Sequence, residues 1–428
     1  MNSKKSLTFF DTIILFVAFL FLLFVYTSAT NYPYIFTLLL STGFIALLVA
    51  IKGFRISFKS DFILWVIFVG VIWLRSVYFS NALLIYNVTF TLLVILMAVC
   101  KESTLGNRII KIILVFSIAQ LLFVFLEAIA GNYMSALLRL IMNDRYFSAE
   151  NANIINGISF AALSESNNVV TYSCVFCLAF GFYGGANHDS RKKNYWIRIF
   201  CIAAPIFVVL FLQRQRSNLL AIPFSFLLSF LLCFKKKNNG KLIRVLTIIA
   251  FALIIFLVAL PYLKTIPSIS KLTNTFEMLL NGEEALEGRS LLYSRAFEMW
   301  KSKPLFGYGW FEYYRLNQGI LADNVYSHAH NIVLELMVDL GIIGTIVILL
   351  PMIYTFVLNV KTLKKAASHG HLEYSGYFKL TLFFQCFFFI DSLLHVSFYN
   401  VSILIIYMLV CISFFSLRYK YLRHVAQN

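Results

Sequence analysis

The chain has 428 residues, of which 60% are hydrophobic and 13% charged, with a mean hydropathy of +0.82 and a formal net charge of +17. So little polar sequence cannot cover a water-soluble globule, which excludes soluble enzymes and binding modules and leaves the bilayer as solvent. The positive charge is not a nucleic-acid footprint, because most of it falls where membrane topology requires it.

Apolar stretches of roughly 17–25 residues cross a hydrocarbon core as helix, and about twelve occur here. They lie at 9–26, 33–51, 62–79, 81–99, 108–130, 167–184, 196–213, 217–234, 245–262, 331–360, 377–395 and 400–417. Runs such as Ile13 to Tyr26 and Val245 to Leu260 are almost continuously apolar, without the alternation of barrel strands. The fold class expected is therefore an all-α integral membrane protein, a single polytopic domain over 1–428. No small-residue cleavage site follows the first run, which reads as a retained span rather than a signal peptide.

Orientation follows from the basic residues. Lys4 and Lys5, Lys52, Lys101, Arg108, Lys111, Arg191 to Lys193, Lys235 to Lys237, Lys361 to Lys365 and Arg418 to Arg423 all fall on one side when the connections are numbered from the N-terminus. By the positive-inside rule that side is the cytoplasm, so both termini are expected there. Arg75, at the outer end of the third run, reads as snorkelling to the interface. The outward segment 131–166 holds Arg139, Asp144, Arg145 and Glu150, and ends at Glu165 among Ser164, Ser166 and Asn167, a plausible helix start. The seven cysteines lie in or at the ends of apolar runs, and the Cys174/Cys177 CxxC, inside one of them, reads as packing.

Two outward connections carry chemistry. The short one, 213–217, holds Arg214 and Arg216, which either snorkel to headgroups or present the planar fork that matches diphosphate oxygens. The long one, 263–329, lies before span ten and balances its acidic and basic residues. Leu292, Ala296, Met299 and Trp300 give Arg289 to Lys301 helical spacing, which Pro304, Gly307 and Gly309 end. The aromatic run Tyr308, Trp310, Phe311, Tyr313 and Tyr314 argues for order. His328 and His330 stand at the mouth of span ten, and Glu335 and Asp339 share a face one turn further on. Asp391 and His395 form a similar pair near the end of span eleven. No P-loop or GxGxxG is present.

The runs Glu287 to Trp300, Lys303-Pro-Leu-Phe-Gly-Tyr-Gly309, Ser327-His-Ala-His-Asn331 and Val338-Asp-Leu-Gly-Ile-Ile-Gly344 resemble the signature region of the O-antigen ligase and O-antigen polymerase superfamily. That resemblance covers roughly residues 140 to 345. It implies about twelve spans with one large outward loop, the layout already read from hydropathy. His330 and Gly341 match the family's histidine followed by ten residues and a glycine. Arg216, followed by Ser217-Asn-Leu-Leu-Ala221, matches the arginine of the short outward turn, and Arg289 the arginine that starts the loop helix. Some members have proline where Ser166 follows Glu165.

Transfer of a glycan from a lipid diphosphate needs a cationic cradle for the leaving diphosphate and a base for the acceptor hydroxyl. The resemblance assigns the cradle to Arg216 and Arg289 and the base to His330, an imidazole expected to titrate near neutrality. Arg214, Arg295, His328, Glu165, Arg145, Tyr308 and Asn331 are the substrate-binding candidates, with no metal and no cofactor. The implied donor is an undecaprenyl-diphosphate-linked glycan and the acceptor another lipid-linked repeat unit or lipid A core, with membrane lipids and a chain-length regulator as further partners and no nucleic acid. The function expected is a surface-polysaccharide polymerase at the outer face of the inner membrane. A ligase shares the same residues, and a lipid-linked-oligosaccharide flippase is the alternative of another class, against which the absence of an internal repeat speaks.

Overall fold

The computed structural model describes residues 9–30, 34–52, 60–76, 81–100, 105–156, 160–164, 166–184, 195–213, 216–233, 270, 289–317 and 328–427. Among them the chain is helical, with a single isolated bridge between Thr30 and Met142 and no strand. The helices in chain order are α1 Phe9–Tyr26, α2 Tyr34–Lys52, α3 Ser60–Leu74, α4 Asn81–Cys100, α5 Gly106–Ile129, α6 Gly131–Ile141, α7 Asp144–Asn156 and α8 Asn167–Tyr183. They continue as α9 Tyr195–Phe207, α10 Arg216–Cys233, α11 Arg289–Ser302, α12 Glu312–Asn317, α13 Ile332–Ser368, α14 Leu372–Ser392 and α15 Val401–Gln427.

These bounds follow the apolar runs closely at eleven places, and the run 245–262 lies outside the described residues. Among the described residues five helices, over Phe9–Tyr26, Leu83–Cys100, Gly106–Ile129, Ile332–Ser368 and Val401–Gln427, are long and apolar enough to cross a membrane. Phe36–Ala50, Phe62–Leu74, Tyr195–Leu210 and Ser217–Cys233 are shorter apolar helices. Their outward faces carry exposed apolar side chains such as Leu39, Ile67, Val115, Leu122, Ile346 and Ile353, which suits contact with lipid. The chain is a multi-pass membrane protein.

α15 is the hub. It is buried along most of its length and packs on α1, α4, α5, α8, α13 and α14. α8 lies between α5, α9 and α14, while α10 packs against α14 and α11 against α13. Polar pairs fix neighbours inside this apolar packing: Tyr26 Oη lies 3.2 Å from Ser117 Oγ and 3.0 Å from Ser173 Oγ, and Asn359 Nδ2 donates to Thr381 and Gln385.

Three described helices are not expected from the sequence: α6 and α7, because 131–166 reads only as a connection, and the six-residue α12, which lies in the aromatic run after Gly309. α6 is amphipathic, with Met134 and Leu138 buried and Tyr133, Leu137 and Leu140 exposed, and α7 is polar enough to hide its helicity. Ser166 caps α8 as expected, its hydroxyl accepting from Asn168 N at 3.2 Å. α9 carries Pro205 and then widens into a π turn at Val208–Leu212, so the chain leaves it at Gln213, next to Arg214.

Candidate functional site

The site is framed by a break in α13. Gly341 sits at φ 66, ψ −176, outside helical space, so the amides of Ile342 and Ile343 lose the carbonyls of Val338 and Asp339 that a regular helix would give them. The turn after α11 enters the gap and serves both sides of it. Tyr308 N donates to Val338 O at 2.9 Å and Gly309 N to Asp339 O at 2.7 Å, while Ile342 N donates to Pro304 O at 2.9 Å and Ile343 N to Leu305 O at 3.3 Å. Two helix bonds are thus exchanged for four bonds to an inserted segment. The approach leaves no room for side chains: a Cβ on Gly341 would lie 2.2 Å from Leu305 C, and one on Gly307 2.5 Å from Asp339 O.

Arg75 belongs to this frame. Its Nη2 donates to Phe306 O at 2.5 Å and to Gly307 O at 3.3 Å, and its own carbonyl accepts from Trp310 N at 2.8 Å. The snorkelling read from sequence is therefore replaced by a tether, because carbonyls of the inserted turn offer the guanidinium a closer partner than headgroups. Asp339, wholly buried, accepts from Phe311 N at 3.0 Å, Tyr313 N at 2.7 Å and Tyr399 Oη at 3.0 Å. Burial, with the Asp339 and Glu335 carboxylates nearby, pushes the Tyr399 phenol well up and keeps it a donor.

Three histidines meet above this frame. Glu335 grips the first: its Oε1 lies 2.6 Å from His328 Nδ1 and its Oε2 accepts from Ala329 N at 3.1 Å. Glu335 thus orients His328 rather than His330, and Tyr314 stacks on the same ring with centroids 4.5 Å apart. His330 is held by its backbone at φ 53, in the left-handed region, between this dyad and Asn331. Asn331 caps α13, its Oδ1 accepting from Val333 N at 3.0 Å and Leu334 N at 3.2 Å. His330 Nδ1 is buried and has no hydrogen-bond partner among the described residues. Burial first, then the Arg289 guanidinium, His395 and His328, push the His330 imidazole down to about 3 from its ordinary 6.5. The neutral titration expected from sequence does not hold for His330, whose surroundings disfavour a second positive charge.

The third histidine belongs to the connection between α14 and α15. His395 Nδ1 lies 2.6 Å from Asp391 Oδ1, and its Nε2 lies 2.9 Å from Ser217 Oγ at the start of α10. Asp391 Oδ2 accepts from Tyr172 Oη at 2.9 Å and from Ser397 Oγ. Arg289, the first residue of α11, donates from Nη1 to Leu394 O at 3.1 Å in the same turn. Arg289, His328, His330 and His395 therefore share one electrostatic neighbourhood.

The remaining candidates separate. Arg295 lies on α11 with its buried Nε unpartnered among the described residues. The Tyr308 hydroxyl lies 2.5 Å from Ser302 Oγ, and Lys303 Nζ sits 4.3 Å from the ring centroid, so this side chain is engaged in the turn itself. Arg216 begins α10, one residue before Ser217, but its side chain lies outside the described residues, as does that of Arg145 on α7. Arg214 and Glu165 lie outside them altogether. Two acids that sequence reasoning did not single out for a role hold the loop before α8: Glu150 Oε1 accepts from Ala161 N at 2.7 Å and Glu127 Oε2 from Ala162 N at 3.1 Å. Burial raises the Glu150 carboxyl. An acid inside an apolar run, as Glu127 is, was the available signal.

The model of the O-antigen ligase family matches residues 201–349, less than half of the chain but the part that carries Arg216, Arg289, His330 and Gly341. No curated protein matches the chain. Over that segment the chain is similar to the O-antigen ligase family, which supports the resemblance to the O-antigen ligase and polymerase superfamily read from the sequence.

Proposed function

We propose that this protein is a surface-polysaccharide polymerase, moving a glycan from undecaprenyl diphosphate onto another lipid-linked repeat unit with inversion and without a metal. The observation that carries the reading is that Arg289, seated on Leu394 O, lies within electrostatic reach of the His330 imidazole, whose buried Nδ1 has no partner among the described residues. In this scheme both termini are cytoplasmic, about twelve spans cross the inner membrane and the site opens outward. Arg216 and Arg289 take the donor diphosphate, with Arg214, Arg295 and Arg145 as further cations along its path and Glu165, His328, Tyr308 and Asn331 about the sugars.

The acceptor oxygen forms its bond to the anomeric carbon as the bond to the diphosphate oxygen breaks. The electron pair leaves on the diphosphate, where guanidinium groups stabilise it, and the acceptor proton passes to His330 and on to solvent or the departing phosphate. An imidazole near 3 is ready to accept but weakly basic, and the incoming diphosphate offsets Arg289 and raises it.

The reading is tested with purified protein in nanodiscs given only a lipid-diphosphate repeat unit. A ladder of longer lipid-linked chains that survives chelation of divalent ions is the expected result. The description of the matching family favours a second reading, transfer to lipid A core or another acceptor. Under it the same assay yields no ladder until that acceptor is added.

A further inference from the structure

The turn that joins α14 to α15 ties together the starts of the two helices that carry the candidate diphosphate arginines. Arg289 opens α11 and donates to Leu394 O. Ser217, next to Arg216 in the first turn of α10, bonds through its hydroxyl to His395 Nε2. The His395 ring cannot rotate away, because its other nitrogen is held by Asp391 Oδ1. Asp391 is fixed in turn by Tyr172 of α8 and by Ser397, and it is almost wholly buried.

We infer that the Asp391–His395 pair is a positioning device that sets the start of α10 against the start of α11, and so tunes the grip of Arg216 and Arg289 on a polyprenyl diphosphate. The inference rests on the proposed function. Two guanidinium groups hold one diphosphate well only at a fixed separation, and a loose turn carrying either would lose that preorganisation. A plain hydrogen bond between Asp391 and the α10 start would not supply the same geometry. The imidazole is a flat spacer with one polar atom at each end, and both ends are occupied here. His395 and Asp391 act through the arginines and not on the reacting atoms.

The test is binding of undecaprenyl diphosphate to the full chain in nanodiscs, followed by steady-state kinetics. Ser217→Ala removes one hydroxyl. His395→Asn keeps an amide at the level of Nδ1 and loses Ser217, whereas His395→Gln reaches Ser217. Loss of one neutral hydrogen bond should weaken lipid-diphosphate binding about two- to tenfold in Ser217→Ala and His395→Asn. The donor KM should rise in step, with kcat at saturating donor and the acceptor KM unchanged, and His395→Gln, which reaches Ser217 but releases Asp391, should bind between wild type and His395→Asn. Equal, wild-type binding by Ser217→Ala and His395→Asn overturns the positioning role and leaves the proposed function intact. So does a loss in all three variants that tracks a fall in kcat and thermal midpoint. Failure of the wild-type protein to bind the lipid diphosphate removes the proposed function itself.

Discussion

Replacing Gly341 by alanine tests the frame directly. The new Cβ would stand 2.2 Å from Leu305 C, 2.3 Å from Leu305 O and 2.4 Å from Phe306 N, all backbone atoms that no side-chain rotation can clear. Either the turn leaves the break or α13 straightens. If the turn leaves and the break persists, the four exchanged hydrogen bonds are forfeited, about 2–6 kcal/mol in all at the net value of a protein hydrogen bond. Straightening α13 instead recovers two helix bonds and forfeits a net two, about 1–3 kcal/mol with no left-handed residue. The left-handed φ of 66 adds roughly 1–2 kcal/mol for a residue with a Cβ. Where the break persists, the loss of about 3–8 kcal/mol is a large part of the stability of a typical domain, but it falls on the break in α13, while the hub α15 also packs on α1, α4, α5, α8 and α14. The protein should therefore remain in the membrane while the Pro304–Gly309 turn becomes accessible to protease. If as little as half the minimum is felt as misplacement of Arg289 and His330, turnover falls by about tenfold, and the full minimum gives more than a hundredfold. Gly370→Ala is the control, since Gly370 also has a positive φ of 75 but nothing within 4 Å of a Cβ. It should keep activity. Wild-type turnover and protease resistance in Gly341→Ala, or equal damage in both variants, would refute the account of the break.

Arg289→Lys keeps the charge but loses the fork, so turnover should fall about 10- to 100-fold, the worth of a charge-assisted hydrogen bond, and Arg216→Lys should behave alike; full activity at normal membrane level would mean ordinary snorkelling. His330→Ala should lose about 10²–10⁴-fold in turnover without losing donor binding, and near-normal rates would remove the base assignment. Because the folded imidazole lies near 3 and the unfolded one near 6.5, the unfolded chain binds the extra proton between those values. Stability should accordingly be complete above 6.5 and decline as pH falls toward 3, and His330→Ala should flatten part of that slope in thermal melts. Asp339→Ala strands the donors Phe311 N, Tyr313 N and Tyr399 Oη, at about 1–3 kcal/mol each, and should lower the melting midpoint far more than Asp339→Asn, which keeps an acceptor.

Hydropathy located the apolar helices, since a run such as Phe9 to Tyr26 has no other stable form in lipid, and the α11 helix with its Pro304 and Gly309 stop was equally visible, whereas the amphipathic α6 and polar α7 were not. What periodicity could not show was pairing across the fold. Arg75 looked like an interfacial cation because its carbonyl partners at Phe306 and Gly307 are more than two hundred residues away. Glu335 was legible only as sharing a face with Asp339 below the two histidines, and that it holds His328 is seen only in the fold. Asp391 and His395 were visible as a pair, but Ser217 as the third member required the packing of α10 on α14. The spacing from His330 to Gly341 was legible as a signature, and its cause, an inserted turn, was not.

That inserted turn also dictates an order of assembly. A membrane helix ordinarily closes all its backbone bonds by itself and can enter lipid complete. α13 cannot, because the amides of Ile342 and Ile343 find their acceptors only on residues Pro304 and Leu305. The part from Gly344 to Ser368 can form as soon as it is synthesised, yet the break at Gly341 stays open until the Pro304–Gly309 turn has folded back into it. Docking of the turn is thus a condition for finishing the helix that follows it, and a chain whose turn failed to dock would carry an unfinished helix for quality-control proteases to find.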